Sequence, residues 1–177
     1  KMIDKMELDC VVIASPTKFH AEMVGYALDK KLHVFCEKPF ALKEEDGKRL
    51  ADKAEDLGLV NQVGYHNRFL GTFQEVKRLL ELDVLGELYH FLGESYGPVV
   101  LKEKGSTWRS EKGQGGGCLY DYASHTIDLI HFLCGTGVKV RGTELKHIYS
   151  KNVEDAVYST VSLENGLTGQ LSVNWSD

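Results

Sequence analysis

The sequence has no apolar run that approaches the roughly 20 residues that a membrane-spanning helix requires, so we do not expect a membrane protein. It also has no basic run, and its net charge of -5 argues against a general nucleic-acid-binding surface. Its 4 cysteines lie far apart, without the spacing of a zinc site or of a disulfide framework. We therefore expect buried thiols in a reducing cytoplasm and no metal site.

The composition is that of an ordinary globular protein, with 42% hydrophobic and 27% charged residues among 177. This length fits one large domain or two small ones. No internal repeat or low-complexity tract is evident. The chain starts with Lys1 inside a charged helical pattern and stops at Asp177 beside a strand pattern, so we expect a fragment of a longer protein.

The first part of the sequence alternates strand and helix patterns. Apolar strand patterns at residues 9–15, 33–39 and 59–65 are separated by helical patterns at about 17–31 and 43–57. Short links between such elements predict βαβ crossovers and a parallel sheet. The run at 9–15 is rich in β-branched residues, which is typical of a strand buried on both faces.

The second part, from about Arg68, has a different pattern. A helix stripe at 69–80, a strand at 86–96 and a second helix after the glycines at 115–117 precede three further strands at about 138–148, 155–163 and 167–175. The whole is therefore an α/β part followed by an α+β part with a mostly antiparallel sheet. We place the domain boundary after residue 67, with one domain at 1–67 and a second at 68–177.

The last two strands are joined by a strong hairpin signal at 164–166, Glu-Asn-Gly. One parity of this hairpin is apolar, comprising Val157, Val161, Leu163, Leu167, Leu171, Val173 and Trp175. The other parity is polar, and between 156 and 176 only Glu164 is charged. Because an uncharged polar face suits burial against a second sheet, we expect a homo-oligomer that forms through this sheet.

Polar clusters follow the three predicted parallel strands, where ligands bind in open α/β sheets. They are Ser15-Pro16-Thr17, Glu37-Lys38-Pro39 and Tyr65-His66-Asn67-Arg68. Partial desolvation of Lys38 at such an edge would make its ammonium group a better proton donor. The simpler interpretation is a surface lysine that is ion-paired to Glu37.

The helix after the glycine run carries an acid and an imidazole four residues apart. Asp121 and His125 therefore share one helix face and can hold a proton-transfer pair in fixed geometry. Ile127, Ile130, Leu133 and Cys134 are spaced for another face that enters a core. The simpler interpretation is that Asp121 caps the helix and that His125 is a half-buried structural histidine.

The order and spacing of these residues resemble the glucose–fructose oxidoreductase and inositol dehydrogenase family of NAD(P)-dependent oxidoreductases. The resemblance covers nearly the whole chain. The positions that carry it are Pro16-x-x-x-His20, Glu37-Lys38-Pro39, Arg68, Trp108-Arg109, and the glycines followed by Asp121-x-x-x-His125-x-x-Asp128. It implies that residues 1–67 are part of a dinucleotide-binding (Rossmann) domain. It also implies that residues 68–177 form a C-terminal substrate and oligomerisation domain, which supplies the substrate site and the oligomer interface.

The resemblance also implies roles for individual residues. Lys38, Asp121 and His125 are the implied catalytic residues, with Asp121 on a substrate hydroxyl and His125 as the acid/base. NAD or NADP is the implied cofactor. Its implied binding residues are Ser15, Pro16, Thr17, His20, Glu37, Lys38, Pro39, Asn67, Arg68, Trp108 and Arg109. Two departures are the absence of the Gly-rich phosphate turn and the presence of Ala123 where the family usually has glycine.

The expected reaction is hydride transfer between nicotinamide and a carbinol carbon of a sugar, a polyol or a related compound. We expect His125 to take the hydroxyl proton and Lys38 to stabilise the alkoxide across a shared cleft. Three alternatives remain: a non-catalytic dinucleotide-binding sensor or scaffold, a reductase of a non-sugar substrate, and a piece that by itself binds no cofactor.

Overall fold

The computed structural model describes residues 3–101 and 107–176, which form two compact units. Of the described residues, the first unit contains 3–64 and 113–115, and the second contains 65–101, 107–112 and 116–176. Tyr65, His66 and Asn67, which the sequence analysis assigned to the first domain, therefore lie in the second unit.

The first unit is a three-stranded parallel sheet with two helices. The order along the chain is β1 (Cys10–Ile13), α1 (His20–Asp29), β2 (His33–Cys36), α2 (Glu44–Asp56) and β3 (Asn61–Val63). The strands pair in the order β1-β2-β3, all parallel, as the βαβ pattern predicted. Gly58 follows α2 with φ +62°, the left-handed conformation that glycine supplies at a helix end.

One face of this sheet carries the core of the first unit. Helix α1 packs on β1 and β2, and α2 packs on α1. The core side chains are Ile13, Val24, Ala27, Leu28, Leu32, Val34, Cys36, Leu50 and Ala54.

The prediction that β1 is buried on both faces is wrong for the described residues. Val12 is 72% exposed, and Cys10 is exposed as well. Successive right-handed crossovers place both helices on the same side of a sheet, so the opposite side of β1 stays open in this unit. The prediction of buried thiols therefore holds for Cys36 and Cys118 but not for Cys10.

The second unit combines helices with a four-stranded mixed sheet. After a 3₁₀ turn at His66–Phe69, its elements are α3 (Gly71–Glu81), β4 (His90–Tyr96), a π-turn (Leu119–Ala123), α4 (Ser124–Cys134), β5 (Lys139–Lys146), β6 (Ala156–Ser162) and β7 (Thr168–Asn174). The sheet order is β4-β7-β6-β5, with β4 and β7 parallel and the other two pairings antiparallel. Helix α4 packs on β4, and α3 packs on α4.

The hairpin prediction is confirmed in detail. The amide of Leu163 donates to the carbonyl of Leu167 at 2.8 Å, and Gly166 has φ +90°. All seven side chains of the apolar parity are buried, at 0–5% exposure. All of them except Val161 belong to the core of the second unit, together with α4 residues such as Ile130.

The opposite face of this sheet is largely open in the described structure. Tyr158 and Leu92 on this face are 37% and 63% exposed. The face is not free of charge over the whole sheet, because cross-strand pairing places Glu94 of β4 and Glu144 of β5 on it. Oligomerisation through this face stays a prediction.

Candidate active site

The first group of predicted site residues lies at the carboxyl ends of β1 and β2, in the first unit. Ser15-Pro16-Thr17 follows β1, and Glu37-Lys38-Pro39 follows β2 with a cis peptide bond between Lys38 and Pro39. Parallel pairing of β1 and β2 brings these segments to the same sheet edge.

The buried ring of His20 links the two segments by hydrogen bonding to both of them. Its Nδ1 lies 2.9 Å from the carbonyl oxygen of Pro39, and its Nε2 lies 2.8 Å from that of Ser15. The residue is only 1% exposed, and Thr17 beside it is 6% exposed. With both ring nitrogens on backbone carbonyls, this geometry supports a scaffolding role for His20, holding the edge in shape, rather than a direct cofactor contact.

Two glycines allow close packing around this edge. A Cβ on Gly64 would lie 3.0 Å from a carboxylate oxygen of Glu37, the residue that also accepts a hydrogen bond from the amide of Lys38. A Cβ on Gly115, which has φ +90°, would lie 2.9 Å from the Thr17 side chain. These glycines let the side chains of Glu37 and Thr17 pack directly against backbone, at the sheet edge where open α/β sheets bind their ligands.

The second group of predicted residues lies in the second unit, and Arg68 forms its firmest contact. The Arg68 guanidinium donates to both carboxylate oxygens of Asp128, with distances of 2.6 to 2.9 Å. Asp128 is 7% exposed, and the Arg68 guanidinium also lies 5.4 Å from the ring centroid of Phe132. The hydrogen bonds with Asp128 raise the pKa of Arg68, so its guanidinium stays protonated. Arg68 was predicted to bind the cofactor, and this role stays a prediction; in the structure its guanidinium is ion-paired with Asp128.

The ring of His125 on α4 lies against two other rings. The Tyr65 ring is 6.1 Å away at an interplanar angle of 85°, and the His66 ring is 5.3 Å away at 70°. Burial of the Tyr65 phenol and the negative charge of Asp128 raise the pKa of Tyr65, so its hydroxyl stays protonated. Asn67 lines a cavity of about 440 Å³ together with His125.

Asp121 lies in the π-turn before α4 and pairs with Arg109. The Arg109 Nε donates to an Asp121 carboxylate oxygen at 3.0 Å, and the guanidinium lies 4.4 Å from the ring centroid of Trp108. Asp121 does not cap α4, whose N-cap is Ala123, so the capping interpretation is wrong. A π-turn widens the helix at this point, a distortion often found at functional sites.

The glycine before this turn allows the Trp108–Arg109 backbone to pack against it. A Cβ on Gly116 would lie 2.3 Å from the Arg109 carbonyl oxygen. Beside the Arg109–Asp121 pair is a cavity of about 420 Å³, whose walls include Trp108, Arg109 and Tyr149.

The structure thus gathers the predicted residues into one group in each unit. Tyr65, His66 and Asp128 contact the predicted site residues; the sequence pointed to them only as members of motifs, with no role of their own. A carboxylate inside an otherwise apolar helix, such as Asp128, is a signal for a buried ion pair that the sequence analysis could have used. Among residues 3–101 and 107–176 no cluster of His, Cys, Asp or Glu side chains could hold a metal ion, and no helix is long and apolar enough to cross a membrane.

Comparison with known proteins gives matches over both units. Residues 1–65 match the family model described as oxidoreductase family, NAD-binding Rossmann fold. Residues 73–177 match the GFO/IDH/MocA C-terminal domain.

Among curated relatives, 2,7-anhydro-N-acetylneuraminate hydratase of Escherichia coli is 29% identical over 185 residues, which cover 99% of this chain and 49% of the relative. D-glucoside 3-dehydrogenase of Escherichia coli is 29% identical over 181 residues, covering 93% of this chain and 51% of the relative. A crystal structure of levoglucosan dehydrogenase in complex with NADH and levoglucosan superposes with a TM-score of 0.93 at 25% identity, covering 99% of this chain and 50% of that one.

The chain spans about half the length of these relatives. The matches nevertheless include both halves of the sequence, and the C-terminal match alone spans more than half of it. The chain belongs to the GFO/IDH/MocA family of oxidoreductases.

Proposed function

We propose that this chain is part of an NAD(P)-dependent oxidoreductase that acts on a carbinol carbon of a sugar, a polyol or a related compound. The observation that carries the proposal is the family membership of both units, combined with the presence of Lys38, Asp121 and His125 at the motif positions. When bound, the nicotinamide cofactor supplies the hydride acceptor or donor. We assign it to the carboxyl edge of β1 and β2, around Ser15–Thr17 and Glu37–Pro39.

The protein residues handle the proton and the substrate. During oxidation His125 accepts the proton of the reacting hydroxyl, and the ammonium of Lys38 stabilises the oxygen as negative charge develops on it. Asp121, held in place by Arg109, accepts a hydrogen bond from a substrate hydroxyl. That Lys38 and His125 act on one substrate stays a prediction of the sequence.

The cavity beside Arg109 supports a sugar or polyol as the substrate class. Trp108 and Tyr149 offer flat apolar surfaces, while the side-chain amide of Asn152 offers hydrogen-bonding groups. An apolar wall with a few polar groups is the usual character of a small-molecule site. A homo-oligomer formed through the open face of the second unit's sheet, and a cytoplasmic location, complete the proposal.

The test uses the longest natural chain that contains these residues, because the sequence covers about half of its relatives. NADH and NADPH are first titrated by fluorescence, and then a panel of sugars and polyols is assayed at 340 nm. Lys38→Ala and His125→Asn should each lower kcat by about 10²- to 10⁴-fold if they take part in proton transfer and oxyanion stabilisation.

Exposed residues provide matched controls. Lys48→Ala on α2 and His147→Asn after β5 make the same changes at exposed positions and should leave turnover unchanged. Turnover near wild type in both the Lys38 and the His125 variants would remove their assignment. Dinucleotide binding without turnover of any compound would favour the sensor or scaffold.

A second candidate reaction follows from the hydratase relative, whose match covers 99% of this chain. Mass spectrometry of the same reactions would detect gain or loss of water by an unsaturated or anhydro sugar. Such a product with no net change in nicotinamide absorbance would identify the protein as a hydratase rather than a dehydrogenase.

A further inference from the structure

One turn of the second unit holds the His125 ring from two sides. Tyr65 and His66 are consecutive, and both lie edge-to-face with His125, at 6.1 Å and 5.3 Å between ring centroids. Their interplanar angles of 85° and 70° are those of a T-shaped contact, the favoured geometry for aromatic pairs. Two near-perpendicular neighbours restrict rotation of the imidazole about its Cβ–Cγ bond.

The same turn is fastened to the helix that carries His125. Arg68 follows His66 by two residues and forms three hydrogen bonds with Asp128. Asp128 follows His125 by three residues, which places both side chains on one side of α4. A bidentate pair fixes distance and orientation together, so the Tyr65–His66 rings and the His125 ring have a common rigid frame.

We propose that Tyr65–Arg68 is a positioning turn for His125, in which the Arg68–Asp128 pair fixes the turn and His66 orients the imidazole and keeps it unprotonated through like-charge repulsion. The proposal rests on the proposed function of His125 as the proton acceptor. A base must be neutral before it can accept the hydroxyl proton, so a neighbour that disfavours the imidazolium keeps more of the enzyme competent.

His66 is exposed, and its ring centroid lies 5.3 Å from that of His125, close enough for a positive charge on one imidazole to disfavour a positive charge on the other. Other titratable groups also surround α4. Asp121 in the π-turn and Asp128 on α4 are acidic, Lys77 of α3 donates to the carbonyl of Phe132, and His90 and Glu94 of β4 line a cavity with His125. Because these groups remain in every variant below except the one that changes Asp128, the comparison isolates His66.

The first test replaces His66 by phenylalanine, which keeps a ring and removes the charge. The protein is labelled with ¹⁵N-histidine, and the His125 ring is titrated by ¹H–¹⁵N spectroscopy. Unit charges about 5 Å apart in a water-like medium shift a pKa by roughly half a unit, so the His125 midpoint should rise by that amount in His66→Phe. His147→Phe, the same change at an exposed position, should leave the midpoint unchanged.

The second readout is the pH dependence of kcat/KM for oxidation in the same variants. If the base becomes easier to protonate, the acid limb in His66→Phe should move to higher pH by the same half unit as the midpoint. His66→Ala, which also removes the ring, should add a fall in kcat with little change in KM, because the imidazole is then less well oriented.

The third variant tests the Arg68–Asp128 ion pair that joins the turn to α4. Asp128→Asn breaks the ion pair and should lower kcat by about 10- to 100-fold, since small misplacements of a catalytic group cost that much. Glu75→Gln breaks the exposed Arg78–Glu75 pair of α3, which has a similar two-bond geometry, and should have no effect. If Asp128→Asn does not fold, the His66 variants still decide the question.

The outcomes separate this proposal from the one on which it rests. An unchanged His125 midpoint in His66→Phe overturns the positioning turn, even if His125→Asn is inactive. A shifted midpoint with an unshifted acid limb shows that His125 is not the base, which overturns both proposals. A matched shift in both readouts supports the assignment.

Discussion

Asp155, between β5 and β6, provides the sharpest prediction of stability. This residue is completely buried, and its carboxylate accepts five hydrogen bonds. One oxygen accepts the backbone amides of Ile148, Tyr149 and Ser150, each at 2.7 Å. The other accepts the Ser150 hydroxyl at 2.6 Å and the Trp175 indole N–H at 2.7 Å. Replacement by asparagine keeps the shape and one oxygen but turns an N–H₂ group toward donors.

The expected cost follows from this geometry. Whichever way the amide is placed, at least two donors lose their acceptor, and each buried donor left unsatisfied costs about 1–3 kcal/mol. We therefore expect Asp155→Asn to destabilise the second unit by about 2–6 kcal/mol, a large part of the roughly 5–15 kcal/mol of a typical domain. With a urea m-value of roughly 2 kcal/mol per M, the unfolding midpoint should fall by about 1 M or more.

Tryptophan fluorescence is a suitable assay, because both tryptophans, Trp108 and Trp175, lie in the second unit. Asp83→Asn makes the same chemical change at an exposed position of this unit and should shift the midpoint very little. A free energy of unfolding for Asp155→Asn within about 0.5 kcal/mol of the wild-type value, the usual range for surface substitutions, would refute the reasoning.

The same variant is expected to change how the stability of the second unit depends on pH. Burial by itself would raise the pKa of Asp155, but hydrogen bonds from Ser150, Trp175 and the backbone outweigh it and hold the pKa below its usual value. A lowered folded-state pKa stabilises the protein above the unfolded value of about 3.9, and this stabilisation is lost as the pH falls through the folded-state pKa. The difference between wild type and Asp155→Asn should therefore shrink below about pH 4.

Two further predictions concern packing and thiol chemistry. Gly116→Ala should destabilise the Trp108–Arg109 turn and weaken ligand binding there, because its Cβ would lie 2.3 Å from a backbone oxygen. Gly113→Ala, where the added Cβ meets open space, should be tolerated. A calorimetric scan of both variants checks this difference. Cys10, which is exposed, should react quickly with a disulfide reagent, while Cys36 should react only on unfolding, because burial raises the pKa of its thiol to about 12. Equal rates for the two thiols would contradict the burial assigned to them.

Much of the fold could be read from periodicity. The alternation of polar and apolar residues at 156–175 fixed which side of the hairpin is buried, because a strand turns successive side chains to opposite faces. The helical pattern at about 17–31 likewise matches α1, whose buried residues His20, Val24, Ala27 and Leu28 recur at helical spacing. Both are local rules, so they need no knowledge of what packs against the element.

The misjudged positions depend on partners distant in the sequence. The β-branched run at β1 predicted burial on both faces, yet Val12 is open, because burial of the second face depends on what covers it and not on the strand itself. The cofactor role of Arg68 stays a prediction, but its ion pair with Asp128, 60 residues later, was not foreseen from the sequence. Asp155 was not identified from the sequence, because its five hydrogen-bond donors lie in two other segments. These are the loop that precedes it and the chain just after the last strand.

The sequence by itself therefore determined the order of elements, a parallel first sheet and a mostly antiparallel second one, the family and the residue types of the candidate site. Only the tertiary structure decided which charges neutralise one another and which rings surround His125. The physical reason is range: side-chain periodicity is imposed by the local backbone, whereas a buried ion pair or an edge-to-face contact exists only once separate segments have been packed within a few ångströms of one another.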